Sequence, residues 1–256
     1  MLISHECPKI LLKESRKFND YDYALVHLFD TEPDYLNFYK ESLKMNRIVY
    51  LDNSLFELET LFNHRKFADW CRVLSDINSS NFYYIIPDDL ENIDSTISSF
   101  EKFSTEYDIP GNKIGVVQGS NYNEILECFK FMKSNADVVA ISFDYSFWNE
   151  GNKFSDGMNN RIKLIHKLKD DGLLNNTKIH LLGCFLPQEF KHYKDIPEIF
   201  SIDTSNPIVH GIKGIRYTED GLNSKESIKL VDLLNVPSVP DDVFYNIKRF
   251  RSFICK

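Results

Sequence analysis

The sequence has no cysteine pair at CxxC spacing. Its five cysteines, at positions 7, 71, 128, 184 and 255, are odd in number and scattered. That pattern argues against a zinc knuckle or a disulfide framework and fits a reducing cytosol. No apolar run approaches the length of a membrane span, and the opening MLISHECPKILLKES lacks the layout of a signal peptide. A soluble, cytoplasmic protein without a membrane partner is expected. GxGxxG and Walker loops are missing, and with them the common nucleotide-cofactor fingerprints. His5, His27, His180 and His210 do not fall at HxH or HxxxH spacing. There is no internal repeat, low-complexity tract or linker. Positive charge is also in short supply. The formal net charge is −8, so any hold on nucleic acid must come from a local patch or a pocket.

What is present suits a well-packed α/β domain. The chain has 256 residues, 43% of them hydrophobic and 14% aromatic, enough for a sizeable core and a length common among single (β/α)8 barrels. Short, nearly continuous apolar runs occur at 24–30, 47–53, 82–88, 113–119, 138–144, 178–185 and 199–203, with GIRY (214–217) as an eighth. Such runs mark parallel strands buried on both faces. Amphipathic stretches at 33–45, 55–77, 121–136, 159–174 and 224–235 predict helices. The alternation favours a TIM barrel forming one domain over residues 1–256, with an open doubly wound sheet as the alternative. Residues 219–256 are expected to form a helical tail packed on the barrel.

Active sites of such barrels lie at the C-terminal strand ends. Nearly every predicted strand finishes in an acid or an amide: Asp30, Asp52, Asp88 with Asp89, Gln118, Asp144 and Asp203. Taken singly, each can be a turn or helix cap. Together, converging carboxylates suit either divalent-metal binding or glycosyl transfer. His180, alone on a strand, reads as a satisfied core residue.

The ordered motifs DNSLFE, IIPDD, GVVQGS, HLLGCF and SIDTSNP, spread between residues 47 and 210, resemble the queuine/archaeosine tRNA-guanine transglycosylase superfamily. The likeness is greatest to its short viral branch, which inserts 7-deazaguanine bases into DNA. That resemblance implies a (β/α)8 barrel without the zinc-binding subdomain of tRNA-acting members, no metal and no cofactor. It implies exchange of guanine for a preQ0-like base, and host cytoplasm as the location if the protein is viral. DNA and the 7-deazaguanine base are the implied partners; monomer and homodimer both stay open. By position, Asp203, four residues before Pro207, corresponds to the family nucleophile and Asp52 to its general acid/base. Asp88 and Gln118 would read the base edge, and Phe56 and Leu182 would cover its two faces, with Gly183 keeping the strand end small. Phe56 also reads as a core aromatic. Glu57 replaces a family glutamine, Asp89 lies one place from Asp88, and Asp144 or Tyr145 replaces a pair of glycines; these keep no assigned role. DNSLFE itself lacks the paired glycines of the family motif. His210, Lys213 and Arg216, just past Pro207, are a candidate clamp for a phosphate backbone. The same site could serve tRNA or a nucleoside, and a non-catalytic base-binding subunit is the alternative outside enzymes.

Overall fold

Two compact units form in the computed structural model, Tyr21–Ala140 and Met1–Asp20 with Ile141–Lys256. The structure describes residues 1–60, 62–143, 157–226 and 228–254. Asp144 and Tyr145 lie outside them.

In the unit Tyr21–Ala140, β2 (Asp22–Leu25), β3 (Val49–Asp52), β4 (Phe82–Ile85) and β5 (Asn112–Val116) pair in parallel, each with its sequence neighbour. β5 continues onto β6 (Val138–Ile141). Helices α2 (Pro33–Lys44), α3 (Leu55–Leu58), α4 (His64–Asn78), α5 (Ile93–Glu106) and α6 (Tyr122–Asn135) alternate with these strands. Capping explains the starts of α4, α5 and α6. The side chains of Asn63, Asn92 and Asn121 accept the amides of Lys66, Ser95 and Glu124 at 3.0, 3.0 and 3.2 Å.

In the other unit, β1 (Leu2–His5) lies parallel to β8 (Ile199–Thr204), which pairs with β7 (Ile179–Leu181). Helices α1 (Leu12–Ser15), α7 (Gly157–Asp170), α8 (Asn206–Ile212) and α9 (Asp241–Ile254) complete it. The strand order β1-β8-β7-β6-β5-β4-β3-β2 with intervening helices is a (β/α)8, or TIM, barrel.

Four sequence expectations need correction. The eighth strand is the N-terminal LISH, whose run is broken by Ser4 and His5, and not GIRY. Residues 215 and 217 are instead tied to α9, where the Asn246 side chain donates to the Ile215 carbonyl at 2.8 Å and accepts the Tyr217 amide at 2.8 Å. The expected helix 55–77 is two helices, because Glu59 turns left-handed (φ 57°) and ends α3. Among the described residues of 224–235 the one helical turn is 3-10, Leu230–Leu233, and Lys229 before it is extended. Finally β2 stops at Leu25 and a 3-10 turn, Val26–Phe29, follows, so Asp30 does not end a strand. It accepts the Trp70 indole N–H at 3.2 Å and pairs with Lys66 at 2.6 Å.

The tail helix α9 does pack within its unit. Val243 and Ile247 join Cys7, Leu11, Ile208 and Leu230 in one apolar cluster. Gly211 permits the close approach of α8 and α9, because a Cβ there would stand 2.4 Å from the Val243 Cα.

Candidate active site

Asp203 lies one residue before the end of β8 and is almost wholly buried. The strand ends at Thr204, whose hydroxyl accepts the Asn206 amide at 3.0 Å, and Pro207 occupies the first turn of α8. Proline is at home there because a first-turn N–H has no partner in the helix. The Asp-to-Pro spacing is therefore the spacing of a strand end and a helix start. Side chains alternate along a strand, so Ser201 and Asp203 share one face. His180 is paired in register with Ser201. Its Nδ1 is 2.9 Å from the Ser201 hydroxyl, and its Nε2 is 3.0 Å from Asp203 Oδ1, off the line of a good hydrogen bond. A serine hydroxyl donating to Nδ1 leaves the ring proton on Nε2, on the carboxylate side.

The other partner of Asp203 is a backbone amide. Gly183 N–H reaches both carboxylate oxygens at 3.3 Å. Gly183 is left-handed, with φ +63°, and a Cβ there would stand 2.8 Å from the Phe143 ring. Only glycine takes that conformation without strain. Leu182 precedes it, half-buried, its amide bonded to the Ile141 carbonyl at 2.9 Å.

Asp52 ends β3 and is half-buried. The Tyr23 hydroxyl donates to one of its oxygens and the Ser54 amide to the other. Asn53 repeats the motif by accepting the Leu55 amide at 2.9 Å. These side chain-to-backbone bonds bend the chain directly after the strand, with Ser54 at φ 62°.

Asp88 and Gln118 follow β4 and β5 and meet each other. Gln118 Nε2 donates to Asp88 Oδ2 at 2.7 Å, and Asn53 Nδ2 donates to Asp88 Oδ1 at 2.9 Å. Both amides are oriented by the backbone, since the Leu55 amide donates to the Asn53 oxygen and the Glu91 amide to the Gln118 oxygen, at 2.9 and 3.2 Å. Their NH₂ groups must therefore face Asp88. Among the described residues no cation offsets the burial of this carboxylate. Its pKa is raised, first by desolvation and further by the charge of Asp89, against the lowering effect of the two amides. Asp89 is half-buried, its backbone bonded reciprocally to the Thr96 hydroxyl at 3.0 Å. Phe56 is 52% exposed, so it is not a core aromatic. Its neighbour Glu57 on α3 is half-buried.

The proposed phosphate clamp does not assemble as expected. His210 is buried, with Nδ1 2.9 Å from the Asn206 carbonyl, and burial lowers its pKa. It is a neutral ring inside α8, not a surface cation. Arg216 is exposed but held by Asp242 at 2.5 Å and lies 5.0 Å from the Tyr245 ring centroid. Lys213 is exposed.

Sequence reasoning missed four contributors. Tyr23 gave no signal, being one tyrosine in an apolar strand. Asn53 stood inside a quoted motif without a role. His180 could have been found from the polar pair Ser201 and Asp203 at i, i+2 on the adjacent strand. Arg161 had the clearest signal. It shares the buried stripe of α7 with Leu164, Ile165 and Leu168, and a cation on such a stripe demands a buried partner. That partner is Glu189, at 2.6 Å, with neither side chain exposed.

Among the described residues no group of three His, Cys, Asp or Glu side chains is placed to hold a metal ion, and no helix is long and apolar enough to cross a membrane. Neither a protein-family model nor a curated protein sequence matches the chain. Solved structures do. The alpha subunit of tryptophan synthase from Legionella pneumophila str. Paris has a TM-score of 0.55 at 10% identity, over 99% of this chain and 92% of that one. N-acetylneuraminate lyase from Mycoplasma synoviae matches at a TM-score of 0.43 and 10% identity, over 83% of this chain and 75% of that one. At 10% identity the likeness to the first of these is one of fold, and the strand order with its intervening helices makes that fold the TIM barrel.

Proposed function

We propose that the protein is a glycosyltransferase of the base-exchange type, replacing guanine in DNA with a 7-deazaguanine such as preQ0. The observation that carries the reading is Asp203. It is a buried carboxylate at the C-terminal end of a barrel strand, steered through both oxygens by one backbone amide, and it falls where the resembled family keeps its nucleophile. An oriented, desolvated carboxylate is the group needed to attack an anomeric carbon.

In the proposed reaction an Asp203 oxygen forms a bond to C1′ of the nucleoside as the C1′–N9 bond breaks. Asp52, in its protonated form, gives its proton to N9 as guanine leaves and becomes a carboxylate. The incoming base then gives its N9 proton to Asp52 and attacks C1′, expelling the Asp203 carboxylate. Two inversions give net retention. One N-glycosidic bond replaces another, so no energy source is consumed. Asp88 and Gln118 read the purine edge, the Asp88 carboxylate accepting base N–H groups with the lone pairs that Asn53 and Gln118 leave. Phe56 supplies a stacking face. A target guanine in duplex DNA has to be flipped out or met as a single strand. Of the three residues past Pro207, only Lys213 keeps a role at the phosphate backbone.

Support also comes from Ser54. It occupies the left-handed region, a conformation that glycine takes readily, at the position where the resembled motif has the first of its two glycines. The test is incubation with DNA and labelled guanine or preQ0. Wild-type protein incorporates label and Asp203→Ala does not; equal incorporation by both refutes the reading. Parallel reactions with tRNA and free nucleosides decide the polymer. Failure to form any covalent adduct would favour a base-binding subunit.

A further inference from the structure

Arg161 is completely buried, and each of its donor atoms has an acceptor. Nε and Nη2 bind the two Glu189 oxygens at 2.6 and 3.0 Å. Nη1 donates to the Leu182 carbonyl at 2.9 Å and, more weakly, to the Ile141 carbonyl at 3.5 Å. Nη2 also donates to the Gly183 carbonyl at 2.9 Å. Glu189 is completed by the Tyr193 hydroxyl, which donates at 2.6 Å. This pair sits outside the groups assigned above to the reaction, yet it grips the residues next to Asp203.

The Leu182 carbonyl and the Gly183 N–H belong to one peptide unit. A trans peptide is planar, with its C=O and N–H directed oppositely. Arg161 holds the carbonyl end, so it fixes where the N–H end aims, and that end aims at Asp203. A cationic donor on the carbonyl also polarises the amide and strengthens its N–H as a donor. Arginine is required because its planar fork can serve a carboxylate and two carbonyls at once; a lysine cannot. We propose that Arg161, backed by Glu189 and Tyr193, is a positioning residue that aims the Gly183 amide at Asp203 and thereby sets the attack geometry of that carboxylate. The link to attack rests on the transglycosylase reading; the link to the amide does not.

The test uses the full chain labelled with ¹⁵N-glycine, the Gly183 resonance being assigned by its loss in Gly183→Ala. Two variants are compared, Arg161→Lys and the charge-neutral double Arg161→Met with Glu189→Gln, which leaves no unpaired buried charge. The Gly183 amide should lose its downfield, charge-assisted position in the double variant and shift part-way in Arg161→Lys. The other glycine resonances should stay in place. In base-exchange assays kcat should fall on the order of a hundredfold in the double variant, as for a misplaced reacting group, with KM nearly unchanged and partial rescue in Arg161→Lys. An unmoved Gly183 resonance in a folded variant overturns the proposal, as does a moved resonance with unchanged kcat. A moved resonance in a protein whose wild type exchanges no base supports the positioning of Asp203 and refutes the transglycosylase reading alone. Should the double variant fail to fold, Arg161→Lys carries the same readouts.

Discussion

The Gly183 N–H stands 3.3 Å from each oxygen of Asp203, bridging the carboxylate from the neighbouring strand end. That contact exists because residue 183 turns left-handed and because no side chain occupies the space the Phe143 ring fills. It ties a conformational requirement in one loop to the orientation of one acid.

Gly183→Ala should therefore strain the turn and press on Phe143. We expect a loss of roughly 1–3 kcal/mol in unfolding free energy, measured by urea titration, together with loss of base exchange. Gly214 has a positive φ too, but open space around it, so Gly214→Ala should cost less and leave activity intact.

Asp88 predicts an unusual pH dependence. Its folded pKa is raised above the ordinary carboxylate value of 3.8. The folded state therefore binds the proton more tightly than the unfolded chain, and this residue's contribution to stability falls as pH rises through the raised pKa. Asp88→Asn removes that fall. It also sets an NH₂ group against one of the two donors Asn53 and Gln118, at a cost of about 1–3 kcal/mol near neutrality. Unfolding curves of both proteins between pH 4 and 7 test the sign: the wild-type advantage should shrink as pH rises.

His5 works in the opposite sense. Burial, assisted by the charge of Arg251, lowers its pKa from 6.5 to about 3. The unfolded chain binds this proton more readily, so stability is lost as pH falls below about 6.5 toward about 3. His5 packs against Phe18 and Phe250 at 6.0 and 5.5 Å between ring centroids, a setting that accepts an aromatic ring. His5→Phe should flatten the acid limb of stability without loss at pH 7, as read by thermal unfolding across pH. His210, also lowered by burial, should leave a smaller residual slope.

Phe56→Ala separates binding from folding. The ring is about half exposed, so stability should change by less than about 0.5 kcal/mol. The KM for the incoming base should rise severalfold if the ring stacks on it. An unchanged KM would remove Phe56 from the base site.

The barrel was legible in the sequence because parallel strands buried on both faces leave nearly unbroken apolar runs. Each of the seven runs overlaps an observed strand. The eighth strand was not legible, since Ser4 and His5 break LISH, and both are nonetheless buried. Strand ends were overextended wherever apolar residues continue into a turn, as at Val26–Phe29. In the candidate site, the acids were found by their place after apolar runs. Their partners were not, because hydrogen bonds such as Gly183 to Asp203 or Asn53 to Asp88 join residues far apart in the chain. The clamp failed for a related reason: three cations in sequence do not reveal that one is buried and another is bound to Asp242.

The proposed covalent bond between Asp203 and a nucleoside sugar is open to direct measurement. The direct measurement is intact-mass spectrometry after denaturing the protein in the presence of guanine-containing DNA, alone and with Asp203→Asn. A protein–DNA adduct is expected in the wild type, mapped to the peptide containing Asp203, released on adding preQ0 and absent in the variant. An adduct of equal yield in Asp203→Asn, or base exchange by that variant at the wild-type rate, would contradict it.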